Sequence, residues 1–386
     1  MMAGNNTTFK HLHELATQLV NTSGFPVLLV LEMIISIAAV LPNLLLLYVL
    51  IRVRIFPMNL RLLLGHLSLN LIWYATAFWV KAVSMLMVVA EKRNPDSLIT
   101  KSYICKFTEL ANTVPLQNVV YSSLALCLER IYSTVRYKKY EKEHSQPWLA
   151  LIFIPLVWAV SLANQLNSLL TIDHNVEVPI CESLLSITPK SALVILTLNL
   201  SVESSCVLLA GIVYFWNNRK LRAITMNRAQ TTLGARFQIS QNVEINSIMM
   251  PSMVLQSLCY MPNYIFLFLV IFGLNEDRFQ LSTRTMLIHV NYFWKLCFCL
   301  LHPLVAFNRK ARLIHHLKKR SPTGLTRVLT RSHRITPTMV STTVAAAEIN
   351  LEAAMANSRA HFEALKNIWA AQAVFYQNQE KYKMPQ

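Results

Sequence analysis

Glu32, Lys81, Glu109, Glu203 and Lys295 are charged residues that lie inside long apolar stretches of this sequence. Charged groups inside a hydrocarbon layer are costly, so they usually pair with one another or take part in function. Lys295 lies roughly 16 Å along a helix from the nearer end of its stretch, too deep to reach water. We therefore expect it to pair with Glu109 or Glu203. We expect Lys81 to extend outward to the interface, and Glu32 to do the same or to meet Lys81.

An ion pair of this kind has two interpretations. It either ties two helices together permanently or forms part of a pocket in which a polar ligand breaks or bridges it, and the desolvation cost is the same in both cases. Aromatic side chains crowd the second, sixth and seventh stretches, and such groups commonly line small-molecule pockets. The candidate pocket residues are therefore Glu109, Glu203, Lys295, Tyr264 and Tyr292. For the aromatic residues, the alternative is contact with lipid.

Other chemistry is not indicated by the sequence. We find no nucleophile beside a base, no phosphate-binding glycine loop and no cluster of metal ligands, so we expect neither an enzyme nor a metal site. A lysine in the seventh stretch and a glutamate in the third are the residue types with which opsins bind retinal. Lys295 and Glu109 each fall one residue from the opsin spacing, however, and one residue rotates a side chain by about 100° on a helix. We therefore expect no cofactor.

The elements that carry these residues are seven apolar stretches, each long enough for a bilayer crossing of about 20 residues. They cover residues 25–51, 60–88, 105–133, 148–170, 190–216, 246–272 and 284–308. The 386-residue chain is 14% charged, whereas soluble domains are about 25% charged. The sequence thus predicts an all-α membrane protein, with a seven-transmembrane helix bundle over residues 25–308. Residues 1–24 form an N-terminal segment outside the membrane, and residues 309–386 form a cytoplasmic tail.

The loops between the stretches differ strongly in charge. If the N-terminus is outside, the inner loops and the start of the tail hold seventeen basic residues, whereas the outer segments hold five. The positive-inside rule therefore predicts an outside N-terminus and an inside C-terminus. The net charge of +17 is concentrated on the inner side, so we expect contact with anionic membrane lipids rather than with nucleic acid.

Cysteine and asparagine positions agree with this orientation. Cys105 and Cys181 fall on the outer side, where a disulfide persists, while the other five cysteines lie within the stretches. We therefore expect a Cys105–Cys181 disulfide. Asn5, Asn6 and Asn21 each begin an Asn-x-Ser/Thr tripeptide and are candidate glycosylation sites, although such tripeptides are also common by chance.

The third stretch ends in an acid followed by arginine, Glu129-Arg130. Such a pair can act as a switch. Arg130 pairs with Glu129 while the bundle is closed, and its planar guanidinium meets backbone carbonyls of a partner helix when the bundle opens. The alternative is an arginine that simply extends to the interface beside a basic loop. The position at the end of the third of seven stretches favours the switch.

The same segment carries a family resemblance. Residues Leu128–Lys142, LERIYSTVRYKKYEK, resemble the end of helix three in nematode chemoreceptors of serpentine receptor class epsilon. Residues Ala235–Val243, ARFQISQNV, are similar to the Arg-Tyr/Phe-Gln-x-x-x-Asn segment of the wider alpha, beta and epsilon group. The acidic–Arg pair also resembles the Asp/Glu-Arg-Tyr motif of rhodopsin-like receptors. In this chain His302-Pro303 stands in place of the Asn-Pro of those receptors, and their second-helix acid is missing, so we expect no sodium site there.

The resemblance covers residues 25–320 and implies a G-protein-coupled receptor in the plasma membrane of sensory neurons or their cilia. It implies that the ligand is an environmental or pheromone-like small molecule and that the partner is a heterotrimeric G protein. The residues implied in coupling are Glu129, Arg130, Tyr132, Arg136 and Arg236. The alternative is a ligand-gated seven-helix ion channel of the odorant-receptor kind, with its N-terminus inside. A transporter is disfavoured because the chain has no recognisable repeats.

The tail divides by composition into two parts. Residues 321–342 are rich in Ser and Thr, and we interpret them either as a segment that a receptor kinase or arrestin contacts or as an ordinary linker. Residues 343–383 contain no Gly or Pro and are rich in Ala, Glu and Gln, so we expect a helix.

Overall fold

The protein was analysed as a computed structural model. It describes residues 13–14, 16–18, 21–22, 24–52, 56–91, 99–137, 147–170, 177–178, 181, 189–226, 233–272 and 281–309. Within these ranges lie seven helices of 23 to 40 residues and two short strands. In chain order they are α1 Gly24–Arg52, α2 Met58–Glu91, β1 Thr100–Lys101, α3 Ser102–Val135, α4 Trp148–Leu170, β2 Glu177–Val178, α5 Pro189–Met226, α6 Leu233–Phe272 and α7 Leu281–Arg309. The tail after residue 309 lies outside the described residues, so its predicted helix stays a prediction.

Each of the seven predicted stretches lies within one of these helices. The helices α5 and α6 extend well beyond their apolar stretches, because backbone hydrogen bonding continues where the side chains become polar. Five helices are long and apolar enough to cross a membrane: α1, α2, α4, α5 and α7. The other two, α3 and α6, contain many of the buried polar side chains, which lowers their mean hydropathy. Length and composition alone therefore support five of the seven predicted crossings.

The surface of the bundle is apolar and its interior is partly polar. Large apolar side chains such as Leu41, Leu151 and Phe215 are well exposed, whereas Glu109, Glu129 and other polar groups are buried. Soluble proteins rarely expose such extended apolar surface, but a protein in lipid satisfies its polar groups internally. This distribution is that of a multi-pass membrane protein.

The central helix of the bundle is α3. It packs against α2, α4, α5 and α6, while α1 packs against α2 and α7, and α5 packs against α6. Cys105 lies near one end of α3 and Arg130 lies near the other end. We call these two ends of the bundle the disulfide end and the Arg130 end. Because α3 packs against four other helices, it can position side chains at both of its ends.

Candidate functional site

A covalent bond closes the disulfide end. Cys105 and Cys181 form the disulfide that the sequence predicts, with their Cα atoms 5.0 Å apart. Beside it, β1 and β2 pair antiparallel, with Thr100 opposite Val178. The chain around Cys181 is thereby held against the start of α3.

An ion pair joins α2 to α3 below the disulfide. Lys81 Nζ lies 2.6 Å from Glu109 Oε1, and the side chain of Lys81 is only 11% exposed. The same ammonium lies 4.9 Å from the ring centroid of Tyr292 on α7, a favourable cation–π distance. The expectation that Lys81 extends outward is therefore wrong. An acid and an aromatic face lie within its reach, so the ammonium is stabilised inside the bundle.

A second buried pair joins α1 to α7. His289 Nδ1 lies 2.9 Å from Glu32 Oε2, and both side chains are fully buried. The ring of Phe25 packs edge-on against the imidazole, with centroids 5.1 Å apart. Glu32 was expected to reach the interface or Lys81. The charge pattern of the sequence does not indicate histidine as this partner, because histidine is not permanently charged.

Lys295 contacts an amide on α6. Its Nζ donates to Asn263 Oδ1 at 3.0 Å and lies 5.2 Å from the ring centroid of Tyr292. Asn291 Nδ2 donates to the same Asn263 oxygen at 2.7 Å. The expected acid partner, Glu109 or Glu203, stays a prediction, and Glu109 also pairs with Lys81. A neutral amide oxygen accepts a hydrogen bond from an ammonium without the burial of a second charge, so charge alone did not reveal this partner.

A buried glutamine links α3, α5 and α6. Gln256 Nε2 donates to Glu203 Oε1 at 2.8 Å, and Ser123 Oγ donates to Gln256 Oε1 at 2.6 Å. Tyr264 follows about two turns later on α6. Its buried hydroxyl has no hydrogen-bond partner among the described residues. A buried polar group without a partner is destabilising by about 1–3 kcal/mol, so this hydroxyl is available to a ligand or a water.

These contacts lie inside the bundle over several helical turns, from Glu109 one turn past Cys105 to Gln256 beside Ser123. We call this group of side chains the charged layer, and it consists of Glu32, Lys81, Glu109, Glu203, Gln256, Asn263, His289 and Lys295. Six helices contribute to it, and all of its side chains are largely buried. The layer can therefore respond to a polar molecule by exchanging one internal partner for another.

The Arg130 end carries the acidic–Arg pair. The guanidinium of Arg130 binds the carboxylate of Glu129, and both residues are buried. Tyr132 packs edge-on against Trp148 on α4, with centroids 5.4 Å apart. Arg136 lies 5.6 Å from the centroid of the Tyr132 ring. The arrangement holds Arg130 inside the bundle rather than at the interface.

Two asparagines close α5 and α6 over this end of α3. Asn217 Nδ2 donates to Thr134 Oγ1 at 2.8 Å, and Asn242 Nδ2 donates to the carbonyl oxygen of Ser133 at 3.3 Å. Asn242 is the asparagine of the ARFQISQN segment. Arg236 lies in the first turn of the same helix, and only its backbone is described.

Residues 12–323 match the family model of the serpentine type seven-transmembrane G-protein-coupled receptor class ab chemoreceptors. The chain belongs to this chemoreceptor family. A search of curated proteins gives no significant match. The superfamily expected from the motifs is confirmed, whereas class epsilon is not, because the matching model describes class ab.

Because the chain belongs to this family, it is a chemosensory receptor of the G-protein-coupled type. The family is one of receptors and not of enzymes, in agreement with the sequence. The ion-channel alternative is not favoured. Together with the apolar helices, membership also makes the chemoreceptor a multi-pass membrane protein.

A neutral polar chain joins α2 to α3 near the middle of α3 in the chemoreceptor. His66 Nδ1 lies 3.0 Å from Ser122 Oγ, and His66 Nε2 lies 3.0 Å from Asn70 Nδ2. Asn118 Nδ2 donates to Asn70 Oδ1 at 3.0 Å. Asn70 stands in the stretch where rhodopsin-like receptors have an acid. A neutral amide at this place offers no charge to balance a bound sodium ion.

Several residues of the chemoreceptor's site were not found from the sequence. They are Gln256, Asn263, His289, Asn217 and Asn242. Each is a polar residue within a helix, and a search for all polar residues in the apolar stretches would have included most of them. Of the glycosylation candidates, Asn21 is exposed, while Asn5 and Asn6 lie outside the described residues.

Proposed function

We propose that the receptor binds a small polar molecule in the charged layer and activates a heterotrimeric G protein at the Arg130 end. One observation carries the proposal: two helices, α3 and α6, contribute residues both to the charged layer and to the Arg130 end. Helix α3 carries both Glu109 and Arg130, and α6 carries both Asn263 and Asn242. A change of partner in the charged layer is thus transmitted along these helices to the coupling end.

The ligand is proposed to enter between α2, α3, α6 and α7. There it meets the unpaired hydroxyl of Tyr264, the Lys81–Glu109 pair and the ring of Tyr292. A polar group that accepts from Tyr264 removes the penalty of an unsatisfied buried hydroxyl. Because Tyr264 and Asn263 are neighbours on α6, binding there changes the position of the helix whose other end carries Asn242.

At the other end, activation is proposed to release α6 from α3. Loss of the Asn242–Ser133 hydrogen bond opens the cleft, and Arg130 exchanges Glu129 for backbone carbonyls of the C-terminal helix of a Gα subunit. Tyr132, Arg136 and Arg236 border this cleft in the proposal.

A test without a known ligand uses agonist-independent nucleotide exchange. The full-length receptor in lipid nanodiscs is mixed with purified G-protein heterotrimers, and exchange is measured for Asn242→Ala and for Asn242→Ala with Arg130→Ala. We expect the first variant to exchange faster than the wild type and the second to lose exchange. Arg219→Ala, which removes an exposed arginine of α5, is the matched control and should leave exchange unchanged. Exchange that survives Arg130→Ala would contradict the proposal.

We also propose that the N-terminus faces outside and the C-terminus faces the cytoplasm, with the receptor in the plasma membrane of sensory neurons or their cilia. The basic loops support this orientation and the proposed contact with anionic lipids. The Ser/Thr-rich tail supports contact with a receptor kinase or arrestin. Epitopes at the two termini, detected in intact and permeabilised cells, test the orientation. An N-terminal epitope that is detected only after permeabilisation would overturn it.

A further inference from the structure

A groove opens on the outer surface of the bundle between α1, α2 and α4, toward the Arg130 end. Its volume is about 920 Å³, and Leu47, Leu62 and Ile154 are among its apolar walls. Gly65 lies in its floor, where a Cβ atom would come 3.6 Å from the side chain of Leu47. The missing side chain at Gly65 therefore deepens the groove along α2, in a shape that suits an extended hydrocarbon chain.

One guanidinium lies in this apolar groove. Arg61 is the only permanently charged residue among the described residues that line it. Its Nη2 donates to Met58 Sδ at 3.0 Å, and a thioether is a weak acceptor. Its Nε is buried and has no hydrogen-bond partner within the described ranges. A guanidinium with five donors in an apolar groove is matched best by an anion that accepts several hydrogen bonds.

The position of Arg61 strengthens the attraction for an anion. It lies in the first turn of α2, which begins at Met58. The first amides of a helix lack partners within it and carry the positive end of the helix dipole. Guanidinium and helix terminus thus act together at the same end of the groove, which is the level of the lipid headgroups.

We propose that this groove is a binding site for an anionic glycerophospholipid. The phosphate accepts hydrogen bonds from Arg61 at the start of α2, and an acyl chain lies along Gly65 between α1 and α4. An apolar groove alone would accept a sterol or a second receptor copy equally well, but neither presents an anion to Arg61. In the orientation proposed above, the site faces the cytoplasmic leaflet, whose anionic lipids supply this headgroup.

A second groove offers an internal control. It lies along α5, has a volume of about 860 Å³, and ends at Arg219 and Lys220. Arg219 is exposed, whereas Lys220 donates to the carbonyl oxygen of Thr134. A change of Arg219 therefore removes the same charge at the same end of the bundle, but from an exposed guanidinium rather than from the partly buried one of Arg61.

The test measures lipid binding to the full-length receptor in detergent by native mass spectrometry. Dioctanoyl phosphatidylglycerol is compared with dioctanoyl phosphatidylcholine. We expect the wild type and Arg219→Gln to bind phosphatidylglycerol about tenfold more tightly. We expect Arg61→Gln to lose this preference, Arg61→Lys to keep part of it, and Gly65→Leu to lose binding of both lipids. Equal thermal unfolding of the variants without added lipid shows that they are folded, and Arg61→Lys tests the charge if Arg61→Gln does not fold.

Three results would overturn the proposal. One is equal binding of both lipids by the wild type. Another is a preference for phosphatidylglycerol that Arg61→Gln keeps. The third is inorganic phosphate that competes as well as the lipid, which would show an anion site without a lipid. A different result would assign the groove to a sterol: equal binding of the two phospholipids, together with cholesterol binding that Gly65→Leu abolishes and Arg61→Gln keeps.

Discussion

The two ends of the bundle are held together by different kinds of contact. In the charged layer, helices are joined by pairs that include charged groups, such as Lys81–Glu109 at 2.6 Å. At the Arg130 end, Asn242 of α6 donates to the carbonyl of Ser133 at 3.3 Å, and Asn217 and Lys220 of α5 donate to Thr134. The charged pair at that end, Glu129–Arg130, lies within one helix.

The difference predicts which end opens. Removing one partner of a buried ion pair is destabilising by about 3–5 kcal/mol. Interhelical hydrogen bonds in membranes contribute only about 0.6 kcal/mol on average. Helix α6 can therefore leave α3 at the Arg130 end for a small free energy while the charged layer stays assembled. This arrangement suits a receptor in which a small change at the charged layer accompanies a larger movement at the Arg130 end.

The largest effect is expected from Glu109→Gln. This change removes the carboxylate that pairs with the Lys81 ammonium, so we expect the free energy of unfolding to fall by about 3–5 kcal/mol. Thermal unfolding of purified receptor and the surface fraction in cells measure it. The double variant Lys81→Met, Glu109→Leu is the control, since it removes both charges and should be closer to the wild type. If Glu109→Gln is as stable as the wild type, the charged layer does not hold its helices together more strongly than the Arg130 end does.

The next largest loss of stability is expected when the disulfide is removed. Cys181→Ser removes the bond that holds this segment to α3, and we expect a loss of about 2–5 kcal/mol. Cys297→Ser, which changes a free and partly buried thiol, is the matched control and should have a small effect. Dithiothreitol should lower the unfolding temperature of the wild type but not that of Cys181→Ser. A similar sensitivity of both proteins to reductant would argue against the bond.

A smaller effect is expected at the Arg130 end. Asn217→Ala removes the hydrogen bond to Thr134, so we expect agonist-independent nucleotide exchange to rise about threefold. Stability should change little, in contrast to Glu109→Gln. Asn218→Ala changes the neighbouring asparagine and should leave exchange unaltered. A stability loss as large as that of Glu109→Gln would remove the distinction between the two ends.

The smallest effect on stability is expected for Asn21→Gln. Asn21 is exposed, so the free energy of unfolding should stay within about 0.5 kcal/mol of the wild type. If the disulfide end faces outside, Asn21 is open to glycosylation, and the variant should migrate faster on a gel. Wild type treated with a glycosidase is the control. A wild type that carries no glycan at Asn21, Asn5 or Asn6 would leave the proposed orientation without this support.

The sequence predicted the helices well because a bilayer imposes a length on every crossing. All seven apolar stretches lie within helices, and the extra length of α5 and α6 was missed because polar helix ends do not differ from loops in hydropathy. The disulfide followed from the side of the membrane on which Cys105 and Cys181 fall. The neutral asparagine ties at the Arg130 end were not predicted, because asparagine occurs as often in loops and caps as in contacts.

The sequence by itself determined where the long apolar helices lie, that buried charges need partners, and that the end of helix three carries an acidic–Arg pair. Only the tertiary structure decided the partners. Lys295 contacts Asn263, Glu109 pairs with Lys81, and Glu32 meets His289. The physical reason is rotation: each residue turns a side chain by about 100° around a helix axis. The sequence specifies the depth of a residue along its helix, but the packing of neighbouring helices sets the face that this residue presents.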